Sequence, residues 1–104
     1  MTKPDLFVIL EIAEGDSVFY KVFGSFLGGY LDGDSWKCNS GISSMYESDV
    51  YYDFKGYSGS TYRCYKDTYG VKGYAAQVLN GLLEKGEQVR MLSENEFKKL
   101  KWQK

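Results

Sequence analysis

The chain has 104 residues, 43% of them apolar and 26% charged, with a formal net charge of −1. That length and balance describe one globular domain and exclude a disordered tail, a coiled coil or a strongly charged nucleic-acid mimic. There is no histidine and there are only two cysteines, which removes imidazole acid–base chemistry, His-containing triads and any four-cysteine or cysteine–histidine zinc site.

The longest apolar run covers residues 6–10, far short of the ~20 a membrane helix needs. Lys3-Pro4-Asp5 leads straight into it with no small-residue cleavage site behind, so a soluble, cytoplasmic protein is expected. Leu6-Phe7-Val8-Ile9-Leu10-Glu11-Ile12 is apolar at odd and even positions alike. This predicts a strand buried on both faces and ending at Gly15-Asp16. A second strand over 18–23 follows at hairpin distance. Phe26-Leu27 and Tyr30-Leu31 are expected to form one bent strand with Gly28-Gly29 at a bulge. A short strand over 35–38 precedes the turn signal Asn39-Ser40-Gly41.

The clearest local signal is a hairpin over 50–55 and 60–66, joined through Gly56-Tyr57-Ser58-Gly59. Period-two alternation assigns Val50, Tyr52, Phe54, Tyr62 and Cys64 to the core face. Tyr51, Asp53, Lys55, Thr61, Arg63 and Tyr65 then face water or a partner. Beyond it the period becomes helical. Tyr74, Val78 and Leu82 recur every four residues, flanked by Ala75, Leu79 and Leu83, and the helix stops at Lys85-Gly86. Residues 88–92 return to a short strand. Ser93-Glu94-Asn95-Glu96 reads as a capping box that opens a last helix with Phe97 and Leu100 inward. The order predicts an α+β fold: a single domain over 1–104, with an antiparallel β-sheet of about five to six strands, one main helix packed on it and a short C-terminal helix.

Gly33-Asp34-Ser35-Trp36-Lys37-Cys38 and Gly59-Ser60-Thr61-Tyr62-Arg63-Cys64 share the order glycine, polar, hydroxyl, aromatic, cation, cysteine. Cys38 and Cys64 either pair across a sheet or stay reduced as small buried hydrophobes, the second being usual in a reducing compartment. No glycine cluster carries the Lys-Ser/Thr of a phosphate loop, no carboxylate pair is marked as catalytic, and no cofactor or metal is expected.

Three surfaces are candidates for binding. The exposed hairpin face offers Tyr51, Asp53, Lys55, Arg63 and Tyr65, and Tyr and Arg are the residues that dominate interface hot spots. Charge is lopsided: residues 1–60 hold nine acidic against four basic side chains, and residues 61–104 nine basic against five acidic. Asp32, Asp34, Glu47 and Asp49 around glycine and serine turns make an acidic candidate, suited to a basic groove on a partner. Arg63, Lys66, Lys72, Lys98, Lys99 and Lys101, interleaved with tyrosines, make the alternative of a small nucleic-acid-binding module. A structural subunit of a larger complex is the third class, and self-association would be its signature.

Gly56-Tyr57-Ser58-Gly59-Ser60-Thr61-Tyr62-Arg63-Cys64-Tyr65-Lys66, with Tyr69-Gly70 and Tyr74…Val78-Leu79, resembles the small Tyr- and Gly-rich accessory proteins of tailed bacteriophages. The resemblance covers about a quarter of the chain. It implies a non-enzymatic protein that blocks a host macromolecule in the host cytoplasm, including defence enzymes such as CRISPR effectors. Ser40-Gly41-Ile42, Tyr46, Val50-Tyr52-Phe54 and Gly59…Tyr62 are also similar to the KTSC domain.

Overall fold

The computed structural model describes residues 1–29, 33–85 and 88–100. β1 (Leu6–Glu14) and β2 (Ser17–Gly29) form a long hairpin that turns at Gly15, whose φ of +60° suits a two-residue loop. Then come β3 (Gly33–Cys38), β4 (Ile42–Glu47), β5 (Tyr51–Gly56) and β6 (Thr61–Tyr65). A single 3-10 turn, helix α1 (Gly73–Lys85), β7 (Val89–Met91) and helix α2 (Glu94–Lys98) complete the order. The α+β class, the antiparallel strands, the main helix and the short C-terminal helix are as the sequence predicts. Among the described residues the strands number seven and divide between a four-stranded sheet, β3-β2-β1-β7, and a three-stranded sheet, β4-β5-β6.

β1 sits at the centre, and both of its faces are buried. Phe7 and Ile9 point to the three-stranded sheet and join Val22, Tyr52, Phe54, Tyr62, Cys64, Leu92 and Phe97 in one core. Val8 and Leu10 point the other way and pack with Phe23 under Ala75 and Leu79 of α1. The layers are therefore helix, four-stranded sheet, three-stranded sheet. Each large apolar side chain buried this way is worth about 1.5–3 kcal/mol.

The chain crosses between sheets at Asn39. Its side-chain Oδ1 accepts from the Val22 N–H at 2.9 Å and from the Gly41 N–H at 3.3 Å, while its own N–H donates to the Val22 carbonyl at 3.1 Å. Those bonds satisfy Val22, one residue beyond the end of the β2–β3 pairing, and turn the backbone out of that sheet. The crossover then rests on the end of β5, where a Cβ on Gly56 would lie 2.8 Å from Ser40 Oγ. A side chain at that position would force Ser40 or the crossover that carries it to shift.

Tyr69 covers the edge of β1 beyond the end of β7. Its hydroxyl accepts from the Ile9 N–H at 3.1 Å and donates to the Leu92 carbonyl at 2.7 Å. The ring stacks on Phe97 at 5.7 Å and meets Phe7 edge-on at 5.1 Å. Burial pushes the phenol up to about 12. At α2 the capping box is complete: Ser93 Oγ accepts from the Glu96 N–H and Glu96 accepts from the Ser93 N–H, both at 3.1 Å.

Three expectations are corrected. Val50 is not a core residue but 61% exposed, because the strand begins one residue later. Ser48 Oγ accepts the N–H groups of both Val50 and Tyr51 and builds a turn there instead. In α1 the inward stripe is offset by one residue: Ala75 and Leu79 are buried, while Tyr74 is 51% and Leu82 38% exposed. Ala75 and Leu79 pack on Val8, Leu10 and Phe23 of the four-stranded sheet, which turns Tyr74 and Leu82 toward the surface. Finally, the strand over 18–23 and Phe26-Leu27 form one continuous β2, with the register shift against β3 falling between Phe26 and Gly29. Tyr30-Leu31 and the Gly86 helix stop lie outside the described residues. Among the described residues, no helix is long and apolar enough to cross a membrane.

Candidate functional site

Alternation along β5 and β6 sends Tyr52, Phe54, Tyr62 and Cys64 into the core and turns the intervening residues to the outer face of the three-stranded sheet. The register places Tyr51 opposite Tyr65, Asp53 opposite Arg63 and Lys55 opposite Thr61, with Tyr46 of β4 opposite Asp53 on the other side. The five hairpin residues singled out in the sequence are thus brought together. Tyr46 joins them, 61% exposed. Sequence reasoning missed it because β4 is serine-rich; the signal was Met45 and Tyr46 lying between the turn at 39–41 and Ser48-Asp49.

Arg63 organises this face. Its Nε donates to Asp53 Oδ1 and its Nη2 to Asp53 Oδ2, each at 2.9 Å, so the planar fork matches the carboxylate. The guanidinium carbon lies 3.9 Å from the centre of the Tyr51 ring, and Tyr51 meets Tyr65 edge-on at 6.1 Å. The hydrogen bonds to Asp53 hold the Arg63 pKa above its usual value, so the cation is permanent. The result is an aromatic and polar surface that is close to charge-neutral along its Asp53–Arg63 row. Its side chains are ordered before any partner arrives, which lowers the entropy lost on association.

The acidic candidates do not form one patch of free carboxylates. Asp32 lies outside the described residues. Asp34 is on β3 of the four-stranded sheet, where Oδ1 accepts from the Gly28 N–H at 2.9 Å. Glu47 accepts from Lys66 Nζ at 2.6 Å, leaving Asp49 exposed in the β4–β5 turn.

The basic candidates are mostly neutralised in place. Arg63 is held by Asp53, Lys66 by Glu47, and Lys98 by Glu94 at 3.0 Å. Lys72 and Lys99 are exposed on separate elements, and Lys101 lies outside the described residues. Phosphate binding needs cations whose charge is not already compensated, arranged along a track. Among the described residues, the candidates supply scattered lysines.

Cys38 and Cys64 are both free and lie on different sheets; burial pushes both thiols above their ordinary pKa. Among the described residues, no three His, Cys, Asp or Glu side chains are grouped to hold a metal ion. The chemistry this face offers is recognition: aromatic contact area, directional donors and low net charge. No protein-family model, curated protein or solved structure matches the chain.

Proposed function

We propose that this protein is a non-catalytic binding module that docks the outer face of its three-stranded sheet on a partner protein and occludes it. The observation that carries the reading is the Asp53–Arg63 fork seated on Tyr51 beside Tyr65, an ordered aromatic–arginine surface that the core does not require. Residues of this kind concentrate binding energy because they combine area with directional hydrogen bonds. The resemblance to phage accessory proteins makes a host macromolecule, such as a defence enzyme, the class of partner. A protein is preferred to a nucleic acid because Arg63 and Lys66 are already paired with carboxylates, which leaves Lys55 as an isolated cation on this face rather than part of a track.

The test is capture of the partner from bacterial lysate, followed by titration of wild type, Tyr51→Ala and Tyr65→Ala. Each truncation is expected to weaken binding by about 1–3 kcal/mol and to leave the folded state in place. Nuclease treatment of the lysate is expected to leave the complex intact. Wild-type affinity in both variants removes the reading, and loss of the complex on nuclease treatment transfers it to the nucleic-acid alternative.

A further inference from the structure

At the end of the outer face away from the Tyr51–Tyr65 pair lies a depression of about 340 Å³, walled by Met1, Met45, Tyr46, Asp53, Lys55 and Thr61. Two of these walls are exposed and largely apolar: Met1 is 68% and Tyr46 61% accessible. Met1 is placed there because the backbone of Thr2 pairs with β6, its N–H donating to the Thr61 carbonyl at 2.9 Å and its carbonyl accepting from Arg63 N–H at 2.8 Å. The flexible, exposed thioether of Met1 lets such a depression adapt to what fills it.

The charges around it are unequal. Both oxygens of Asp53 are taken by the Arg63 fork, and Glu47, further along β4, is taken by Lys66. Lys55 is exposed, and among the described residues no carboxylate lies within ion-pair distance of it. The depression therefore joins apolar walls to the uncompensated cation of Lys55. A basic partner segment would bring like charge to Lys55 and find no free carboxylate in the depression.

Resting on the reading of this face as the docking surface, we propose that the depression takes an acidic–apolar segment of the partner protein. An aliphatic or aromatic side chain sits between Met1 and Tyr46, and a neighbouring Asp or Glu pairs with Lys55. This assigns the specificity of the face to Lys55, while Tyr51, Arg63 and Tyr65 supply its general adhesion.

The probes are two fluorescent peptides, Gly-Asp-Leu-Phe-Asp-Gly and Gly-Lys-Leu-Phe-Lys-Gly. They are titrated by anisotropy, with amide chemical shifts of the whole protein recorded in parallel. The acidic peptide is expected to bind about fivefold more tightly at low salt, as exposed ion pairs allow, and the preference to fade at high salt. Shifts are expected at Lys55, Tyr46 and Thr61. Lys55→Glu should reverse the preference and Lys55→Gln should abolish it, both with unchanged spectra elsewhere. Equal binding of the two peptides, or a preference that survives Lys55→Glu, overturns the acidic class. Shifts confined to other surfaces, or no binding at all, overturn the depression as the docking point. Neither result touches the Tyr51 and Tyr65 titrations, which judge the face by themselves.

Discussion

Tyr52 and Tyr62 on the inner side of the three-stranded sheet, and Tyr51 and Tyr65 on its outer side, are sequence neighbours whose rings meet opposite surroundings. The inner pair is 5% exposed and belongs to a continuous core with Phe7, Phe54 and Phe97. There Tyr52 meets the Phe97 ring edge-on at 5.0 Å. In the outer pair Tyr51 packs on the Arg63 guanidinium, itself held by Asp53, and meets Tyr65 edge-on at 6.1 Å. Burial and ring geometry hold the first arrangement, at about 0.5–1.5 kcal/mol per aromatic pair beyond the area term. The second holds partly solvated ions that add little to folding. The same residue type thus serves cohesion on one side and is available for recognition on the other.

The contrast can be broken at its strongest point by Phe97→Ala, which empties the site where four aromatic rings converge on α2. The expected loss is about 3–5 kcal/mol, read as a drop in the urea midpoint. A loss below about 1 kcal/mol would show that the inner cluster is not cohesive.

A smaller effect is expected from Tyr69→Phe. The Ile9 N–H and the Leu92 carbonyl both lose their partner, costing about 1–3 kcal/mol by denaturant titration. Tyr69 also sets an alkaline limit. Its phenol is raised from 10.0 to about 12, so the folded state holds this proton more tightly than the unfolded chain. Its contribution is complete below pH 10 and is lost as the pH climbs through 12. Tyr52 and Tyr62 are shifted the same way by burial and add to the fall. Tyr69→Phe should flatten part of that slope; an unchanged slope would assign it to the other tyrosines.

The smallest effect sharpens the other side of the comparison. Tyr46→Ala on the outer face should alter folding stability by no more than about 0.5 kcal/mol in thermal unfolding. A cost near that of Phe97→Ala would make the outer face part of the core.

Much of this was legible because it is local. Two-sided burial of Leu6-Phe7-Val8-Ile9-Leu10, the inner and outer sets of β5 and β6 from Tyr51 to Tyr65, and the Ser93/Glu96 cap each follow from a few adjacent residues. The division into two sheets was not legible, since it depends on Asn39 meeting Val22 and on Gly56 meeting Ser40, contacts that no periodicity announces. The phase of α1 was missed for a similar reason: Tyr74 and Leu82 fit the helical repeat as well as Ala75 and Leu79, and only the packing of the latter on Val8, Leu10 and Phe23 decides between them. At the candidate site, side-chain direction followed from alternation. Compensation of Arg63 and Lys66 was not legible, because their partners Asp53 and Glu47 lie on other strands, reached only after folding, whereas that of Lys98 by Glu94, four residues earlier on the same helix, was.

Pairing of β1 with β7 joins Leu10 to Met91, Glu11 to Arg90 and Ile12 to Val89. During synthesis the ribosome therefore completes β4, β5 and β6 before it makes the strand that covers this stretch of β1. Throughout that interval Leu10, Glu11 and Ile12 form an open, largely apolar edge, the kind of template on which nascent chains join one another. Glu11 is the one charged residue in it, and like charges facing each other across two such edges discourage the wrong pairing. When β7 arrives, Arg90 Nη2 comes to 3.3 Å from Glu11 Oε1, and Arg90 also reaches Glu96 at 2.6 Å. The carboxylate that guards the unfinished edge becomes the one that the right strand neutralises.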